Sequence, residues 1–297
     1  MKPELVRILV CPHCGGDLRE NAGALICSAG HTANIARQGY VSLLGPHSGT
    51  HTADSAEMVA ARERFLGAGH FRPVADAISE AVDRALDPRS DRADGTMPDG
   101  AVIDLGAGTG YYLAAALGTG DGVAEPGPGP AGRIGLAIDN SKFAARRAAR
   151  CHPRAGAIVA DIWDDLPVRN GAAAVVLNVF APRNGDEIRR ILAPGGTLAV
   201  VTPKSDHLQQ LGEGFGMISV DPDKEARLEQ TLGDLAEGLE GRDLEWQMEL
   251  DRDEVRDLVG MGPGAGRLEP SGLEAALDRL PVPAAVTGSV RISAAFG

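Results

Sequence analysis

The sequence predicts an α/β protein with a mostly parallel sheet and a small metal-binding module at its N-terminus. Three observations predict it: a cysteine cluster within the first 31 residues, an apolar strand that runs into a glycine-rich turn at 101–110, and apolar strands that then alternate with helical stretches. The chain has 297 residues, 43% hydrophobic and 24% charged. This length suffices for one large domain plus a small module, and the composition excludes wholesale disorder.

The net charge of −12 opposes a general affinity for polyanions. The charge is uneven, because residues 1–75 contain seven Lys/Arg against six Asp/Glu and sum to +1, whereas the remainder sums to −13. The N-terminal part is therefore the better candidate for contact with a polyanion. No apolar run approaches the roughly 20 residues that a membrane helix needs, and we see no signal segment, so we expect a cytoplasmic protein without a membrane partner.

The first candidate site is a set of three cysteines and one histidine. Two residues separate Cys11 from Cys14, and three separate Cys27 from His31. This spacing is typical of a closed tetrahedral site, so we predict a structural zinc ion held by these four side chains. The odd local number of cysteines disfavours a disulfide framework, since Cys151 is remote. The alternative is surface thiols with an unrelated histidine.

The chain divides into three predicted segments. Residues 1–45 form the zinc-binding module, which is too small for a stable apolar core and depends on its metal for folding energy. Residues 46–100 form a helical connector, in which Asp54 caps one helix and a second runs from Val74 to Leu86. Residues 101–297 form the α/β domain.

Within that domain the alternation of elements predicts a parallel sheet covered on both faces. A stretch with nine Gly/Pro among fifteen residues, 118–132, reads as a surface insertion, and 87–100 as a polar connector. The remaining expected elements are strands at 134–138, 157–160, 174–180 and 197–202, helical stretches at 141–151, 185–192, 223–240 and 251–259, and edge strands at 244–250 and 285–293.

The glycine-rich turn predicts which nucleotide the domain holds. Gly106, Gly108 and Gly110 depart from the dinucleotide fingerprint, because the third glycine comes one residue early. With Asp104 before them they follow the pattern D-x-G-x-G-x-G, which is typical of loops that wrap S-adenosylmethionine. Asp139 follows Gly106 by 33 positions, and removing the insertion brings the interval to 18, close to the roughly 20 expected for a carboxylate that binds ribose hydroxyls.

The next strand ends add matching polar residues. Asp161 and Ile162 are placed to bind adenine, and the segment from Asn178 to Pro182 ends the fourth strand, where ligands sit in open α/β sheets. A Pro-Gly-Gly turn at 194–196 precedes the fifth. Together these observations predict the Rossmann-like fold of class I S-adenosylmethionine-dependent methyltransferases with a zinc-ribbon-like N-terminal module. The alternative is an NAD-type or generic α/β domain.

The combination of a zinc-binding module with a methyltransferase core resembles the RlmA family of 23S ribosomal RNA (guanine-N1) methyltransferases. The resemblance covers about residues 8–210 and is most specific in the segments 37–44, 54–58, 62–66 and 68–71, with Met261-Gly-Pro263 as a looser anchor. The segment 178–184 is closer to the branch that includes macrolide-resistance enzymes of antibiotic producers.

The resemblance implies methylation of guanine N1 in a hairpin loop of 23S rRNA, a homodimer, and antibiotic resistance as one role. It assigns the zinc ligands to Cys11, Cys14, Cys27 and His31. Phe71 stands where the family often has Tyr. The donor-binding residues that the resemblance and the glycine-loop pattern imply are Phe71, Asp104, Gly106, Ala107, Gly108, Gly110, Asp139, Asp161, Ile162, Asn178 and His207.

The catalytic residues expected are Asn178 and His207. Guanine N1 carries a proton and lies on the Watson–Crick edge, so the target base must be unpaired and turned into a pocket. Asn178 is a candidate for the base edge, and His207 is a candidate proton acceptor or a donor-binding residue. For the RNA we expect Arg19, Arg37 and Tyr40 of the zinc module to contact phosphate or a base, unless the tyrosine packs beneath the module.

Two other classes of function remain open at this point. A small-molecule methyltransferase with a structural zinc knuckle fits the acidic balance, and transfer of labelled methyl groups to rRNA rather than to metabolite extracts separates the two. A non-catalytic binding module that kept the fold is disfavoured by the intact glycine loop with Asp104 and Asp139.

Overall fold

The structure is a computed structural model that describes residues 1–46, 48, 51–87, 100–118, 133–215, 230–262, 264–265 and 269–296. Most of the insertion predicted at 118–132, most of the connector at 87–100, the first part of the helical stretch at 223–240 and Pro263 lie outside the described residues. Within the described part of the chain, no helix combines the length and apolarity that crossing a membrane requires.

The main sheet has eight strands in the order β10-β11-β9-β8-β5-β6-β7-β4. The strands from β4 to β9 run parallel, and β11 is antiparallel to both of its neighbours. The chain moves outward from β5 in both directions, so the strand order reverses there, and ligands bind at such a switch point. The strands are β4 Val41–Ser42, β5 Ala101–Leu105, β6 Gly135–Asp139, β7 Ala155–Val159, β8 Ala173–Val179, β9 Leu192–Pro203, β10 Leu239–Leu250 and β11 Ala284–Phe296.

The predicted class I methyltransferase fold is confirmed by this sheet and its two covered faces. Side chains of β5 alternate between the faces: Val102 joins one apolar cluster and Ile103 the other. Continuous burial along β5 to β8 is what a parallel sheet covered on both sides requires. The helices are α1 Pro3–Ile8, α2 Ala56–Gly67, α3 Arg72–Ala85, α4 Tyr111–Ala116, α5 Lys142–Ala148, α6 Gly185–Ile191, α7 Asp234–Glu237, α8 Arg252–Gly260 and α9 Pro270–Leu277.

The N-terminal module is a three-stranded antiparallel ribbon that is joined to the main sheet. Its strands are β1 Leu18–Asn21, β2 Ala24–Cys27 and β3 Thr32–Asn34. The next strand, β4, leaves the ribbon and pairs in parallel with β7. Helix α1 lies against the sheet, where Leu5 is fully buried and belongs to the same apolar cluster as β5 and β7. The ribbon therefore shares its apolar core with the larger domain.

Two local expectations are wrong. The cap of α2 is Ser55, whose Oγ accepts from the Met58 backbone, because the Asp54 carboxylate is instead bound by Arg62 at 2.5 Å. In the C-terminal third, helical structure in the described residues gives way to β10 at Leu239, whereas helix was expected to residue 240. The longer strand follows from its antiparallel pairing with β11 along its full length, a long-range partner that a local pattern does not show.

Candidate functional site

The glycine loop between β5 and α4 adopts a backbone that glycine favours at each expected position. Gly106, Gly108 and Gly110 have φ angles of 73°, 55° and 81°, in the left-handed region. A Cβ on Gly106 would lie 2.5 Å from the Cβ of Ala181, so no side chain fits between this loop and the loop that follows β8. Ala107 is buried in the apolar cluster beside the loop. The loop therefore offers bare backbone to a ligand at the switch point.

Asp139, at the end of β6, is held against the glycine loop. Its Oδ2 accepts from the Gly108 backbone at 2.8 Å, and its Oδ1 accepts from the Ser141 backbone at 2.8 Å. Burial raises the pKa of this carboxyl, while the two backbone donors oppose the shift. Each oxygen keeps a lone pair, so the carboxylate can still accept from a pair of ligand hydroxyls.

Asp161 and Ile162 follow β7 at the same edge of the sheet, and both are buried. The Asp161 carboxylate accepts from the Trp163 backbone at 3.0 Å and lies 2.8 Å from Nδ1 of His51. The neighbouring Trp163 ring is 48% exposed. This arrangement places an acceptor beside an apolar wall, as recognition of an adenine edge needs.

Asp104 is a buried carboxyl group in an environment that disfavours its ionised form. The side chain lies on β5 with only 1% of its surface exposed, and neither carboxylate oxygen has a hydrogen-bond partner. Burial, with a smaller contribution from the charge of Asp139, raises the pKa of Asp104 to about 8. A cationic group bound at the glycine loop would favour its ionised form.

The segment after β8 brings an amide and an aromatic ring beside the glycine loop. Asn178 is fully buried, and its Nδ2 donates to the Pro182 carbonyl at 2.8 Å, which leaves its Oδ1 buried without a partner. Phe180 has a φ of 54°, which is unusual for a residue with a side chain, and remains 38% exposed. A strained, exposed ring next to an unsatisfied acceptor is more consistent with a binding surface than with a packing position.

Phe71 and His207, far apart in the sequence, meet Phe180 in one aromatic cluster. The centroid of Phe71, at the start of α3, lies 5.9 Å from Phe180, 6.0 Å from His207 and 5.2 Å from Trp246 of β10. His207, in the loop after β9, stacks on Phe180 at 5.8 Å with an interplanar angle of 26°. The structure thus brings Phe71 and His207 to the edge where the glycine loop lies.

The hydrogen bonding of His207 assigns its tautomer. The backbone N–H of Ser289 donates to Nδ1 of His207 at 3.0 Å. In the neutral ring the proton therefore sits on Nε2, which makes that nitrogen a donor. This pattern suits stacking or donation to a ligand better than removal of a proton.

The four expected metal ligands come together on the ribbon, as a set separate from the glycine loop. Their ligand atoms lie within 4.8 Å of one another. Nδ1 of His31 is 3.4 Å from both Cys11 Sγ and Cys27 Sγ, and Cys14 Sγ is 3.7 Å from Cys27 Sγ. A tetrahedral zinc ion with ordinary bond lengths requires about 3.6 Å between sulfur and nitrogen and about 3.8 Å between sulfurs. The residues present fit zinc.

The chemistry of the Cys27 thiol agrees with this geometry. Burial raises the pKa of the Cys27 thiol, but hydrogen bonds from the His31 backbone and from Cys14 outweigh it and bring the value down to about 6. A thiol that ionises readily is a better ligand, because the thiolate is the form that binds metal.

The residues at the glycine loop likewise fit S-adenosylmethionine. Three acidic side chains, Asp104, Asp139 and Asp161, line the ends of adjacent strands and suit a ligand that carries sulfonium and ammonium charges. The buried atoms without partners, both oxygens of Asp104 and Oδ1 of Asn178, are acceptors.

Sequence patterns missed three residues of the site. Phe180, directly after β8, and Trp246, within β10, have no signal of their own in the sequence, because a single aromatic residue forms no periodic pattern. Arg62 lies in a segment that only the family resemblance marks. It lies against Gly108, where a Cβ would come within 3.2 Å of its Nη1, and it donates to the Met261 carbonyl at 2.8 Å. The spacing of the glycines predicts the loop, but it does not predict that α2, which carries Arg62, packs on that loop.

The family model of the RlmA N-terminal zinc ribbon matches residues 9–48. A relative from Streptomyces fradiae, named "23S rRNA (guanine(748)-N(1))-methyltransferase", is 44% identical over 98% of this chain and 97% of its own length. A Micromonospora griseorubida relative, named "Putative 23S rRNA (guanine-N(1)-)-methyltransferase", is 45% identical over 99% of this chain and 98% of its own length. A Bacillus subtilis relative with the same description is 34% identical over 68% of this chain and 66% of its own length. The similarity therefore spans both the ribbon and the sheet.

Proposed function

We propose, from the premise that this chain belongs to the family of 23S rRNA (guanine-N(1)-)-methyltransferases, that it methylates N1 of a guanine in a hairpin loop of 23S ribosomal RNA. Family membership follows from 44–45% identity over nearly the whole chain. The structural observation that carries the proposal is the contact between the glycine loop at Gly106 and the segment at Ala181. It puts a donor site and a base-sized aromatic surface side by side.

In this proposal the segment after β8 holds the base. The face of Phe180 stacks on the purine, which must leave its helix or loop stack for N1 to be reached. The Oδ1 of Asn178 accepts from a guanine N–H, since it is a buried acceptor without a partner. Its Nδ2 is fixed by the Pro182 carbonyl, so the amide is oriented before the base arrives.

S-adenosylmethionine, when bound, supplies an electrophilic methyl group on a sulfonium sulfur. The chain's residues would hold it through the glycine loop, with Asp139 for the ribose hydroxyls, Asp161 and Ile162 for the adenine, and Phe71 and His207 near the base. The aromatic cluster would line the space in which donor and base meet, and transfer requires the reacting atoms to lie about 3–3.5 Å apart.

The N1 proton must leave before or during attack. Asn178 cannot take it, because an amide is not a base at neutral pH. His207 presents a donor nitrogen, because its Nδ1 already accepts from Ser289. We therefore assign loss of the proton to water, and the rate should rise with pH as the guanine ionises.

We assign substrate recognition to residues 1–45, with 46–100 as a connector that supplies α2 and α3 and 101–297 as the methyltransferase domain. Arg19 and Arg37 of the ribbon are exposed, as phosphate contacts require. Tyr40 is partly buried against the apolar cluster, which favours a packing role for this ring.

The ribosomal substrate implies a cytoplasmic location, and the homodimer that the family resemblance implies can be checked by sedimentation of the purified protein.

The test is transfer of labelled methyl groups from S-adenosylmethionine to a 23S rRNA hairpin, to other RNAs and to metabolite extracts. We expect transfer to the hairpin, with the label on guanine N1 by mass mapping. Asp139→Ala should abolish transfer, while Asp186→Ala, an exposed carboxyl on α6, should leave it intact. Labelling of a metabolite with no label on the hairpin would overturn the proposal in favour of a small-molecule methyltransferase.

Macrolide resistance is a physiological consequence that we propose separately. Expression in a macrolide-sensitive host should raise the inhibitory drug concentration, and Asp139→Ala should remove the effect. Methylation in that host without a change in sensitivity would refute the resistance role while leaving the reaction in place.

A further inference from the structure

Arg183 is a cation without a counter-ion among the described residues, in a protein of net charge −12. Within the described residues it forms no hydrogen bond or ion pair, and its Nε is completely buried without a partner. The side chain is half-buried, and burial lowers the pKa of its guanidinium. A half-buried charge without a partner is costly, so its presence calls for an explanation.

Three other partly buried arginines of this protein are paired with carboxylates. Arg190 donates to Glu187 at 2.5 Å, Arg62 to Asp54 at 2.5 Å, and Arg133 to Asp83 at 2.8 Å. The chain carries 41 Asp and Glu, so carboxylates are plentiful. No carboxylate in the part of the chain that the structure describes pairs with Arg183, so its guanidinium is available to an outside anion.

The position of Arg183 indicates which anion. It follows Pro182, whose carbonyl orients Asn178, and precedes Asn184, whose Nδ2 contacts the Trp163 carbonyl at 3.5 Å. The same loop begins with the exposed ring of Phe180, and Trp163, whose backbone carbonyl Asn184 contacts, also has an exposed ring. Proteins that bind single-stranded nucleic acid combine cationic side chains with exposed aromatic rings on which bases stack.

We propose that Arg183 binds a backbone phosphate of the target strand, at or next to the guanine that stacks on Phe180. This assignment rests on the proposed function. A guanidinium is suited to the role because it presents two parallel donors to phosphate oxygens. The contact would hold the strand while the base is turned out, since phosphate contacts position a nucleic acid without reading its sequence.

The carboxylate of S-adenosylmethionine is a second anion with similar chemistry, and the experiment separates the two. Arg183→Gln removes the charge, Arg183→Lys keeps it without the fork, and Arg150→Gln removes an exposed charge beyond α5, near the amino end of β7. For each variant we would measure kcat and KM for the hairpin at several salt concentrations, the donor's dissociation constant by calorimetry, and thermal unfolding.

We expect Arg183→Gln to raise the KM for the hairpin about tenfold or more, with an unchanged donor constant. The slope of log KM against log salt should fall by about 0.7, the value for one phosphate contact on a single strand. Arg183→Lys should restore most of the salt dependence, and Arg150→Gln should change neither quantity by more than about twofold. Unfolding of Arg183→Gln should occur at the same or a higher temperature, because an unpaired buried charge is removed.

Three results would overturn the proposal. An unchanged KM and salt slope would exclude a phosphate contact, weaker donor binding alone would assign Arg183 to the donor's carboxylate, and a lower unfolding temperature with a proportional loss of activity would make its role structural. Failure of the proposed function itself is distinguishable, because the unaltered enzyme would then not methylate the hairpin.

Discussion

Asp104 shows how one residue can be placed at a cost to the free protein. Both carboxylate oxygens are buried without partners beneath a loop expected to hold a cationic ligand. In a folded protein such a group stays neutral at neutral pH, because ionising it would leave an uncompensated charge in an apolar environment. The protonation of Asp104 therefore couples the stability of the fold to pH and to the charge of the bound ligand.

Asp104→Asn should remove a pH dependence of stability. The pKa of Asp104 is raised to about 8 in the folded state, so between pH 4 and 8 the folded carboxyl is neutral while the unfolded one is ionised. Its contribution to stability is present below pH 4 and is lost as the pH rises to 8. Between pH 5 and 8.5 the unfolding free energy of the variant should fall by about 4 kcal/mol less than that of the wild type, measured by urea unfolding. Parallel profiles for both proteins would contradict this, and Asp186→Asn controls for loss of an exposed carboxyl.

Substitutions of Phe180 should affect the stability of the protein and its binding of the hairpin differently. A side chain at φ 54° costs about 1 kcal/mol relative to glycine, and function explains why it is kept. Phe180→Gly should therefore be more stable than Phe180→Ala by about 1 kcal/mol, although both lose the same ring contacts. Both should raise the KM for the hairpin about tenfold, in line with loss of one stacked base, and Phe180→Tyr should not. Equal stabilities of the Gly and Ala variants would mean that the backbone is unstrained.

At the scale of elements, the antiparallel pair β10 and β11 braces the aromatic cluster. The register sets Trp246 opposite Gly288, and a Cβ on Gly288 would lie 2.2 Å from the indole ring. The ring thus lies across its partner strand, with Nε1 donating to the His70 carbonyl at 2.8 Å and its face near Phe71. Gly288 thereby fixes the position of a ring that packs on Phe71, one of the residues proposed to bind the donor.

Gly288→Ala should displace Trp246 and weaken donor binding. We expect the donor's dissociation constant to rise about tenfold and the tryptophan emission to shift to longer wavelength, as the indole becomes exposed. Gly241→Ala is the matched control on the same strand pair, since its Cβ would meet the guanidinium end of Arg291, a flexible group that can move. If Gly288→Ala binds the donor normally, Trp246 is not a brace for the site.

The sequence predicted those parts of the site that are read from consecutive residues. The glycine loop and the polar strand ends are local patterns, and they lie at the edge that the parallel sheet requires. Trp246 and Gly288 meet only through a cross-strand register, and β4 joins β7 although more than 100 residues separate them. Such pairings depend on the completed sheet. The choice between Asp54 and Ser55 as cap was likewise decided by Arg62, a residue outside the capping pattern.

At the scale of the whole molecule, the ribbon and the methyltransferase domain share structure. Arg169 donates to the Arg7 carbonyl at 2.7 Å and to Asp17 at 2.6 Å, and the Val10 backbone bonds to the Pro167 carbonyl. A Cβ on Gly156 of β7 would lie 2.6 Å from a Leu5 methyl group, which shows how closely α1 approaches the sheet. Unfolding of the ribbon should therefore also destabilise the main sheet.

Loss of zinc should destabilise the entire protein and not the ribbon alone. Cys14→Ser removes one ligand at an exposed position, so it should lower bound zinc from one equivalent to almost none, measured by atomic absorption. Because α1 and β4 are anchored in both parts, the main unfolding transition should fall by about 5 °C or more and remain single. His13→Ala is the matched control, since that ring lies 5.0 Å from His31 but is not one of the four ligands. A second, separate transition in Cys14→Ser, with the main one unmoved, would mean that the ribbon folds independently and acts on the substrate only as an attached module.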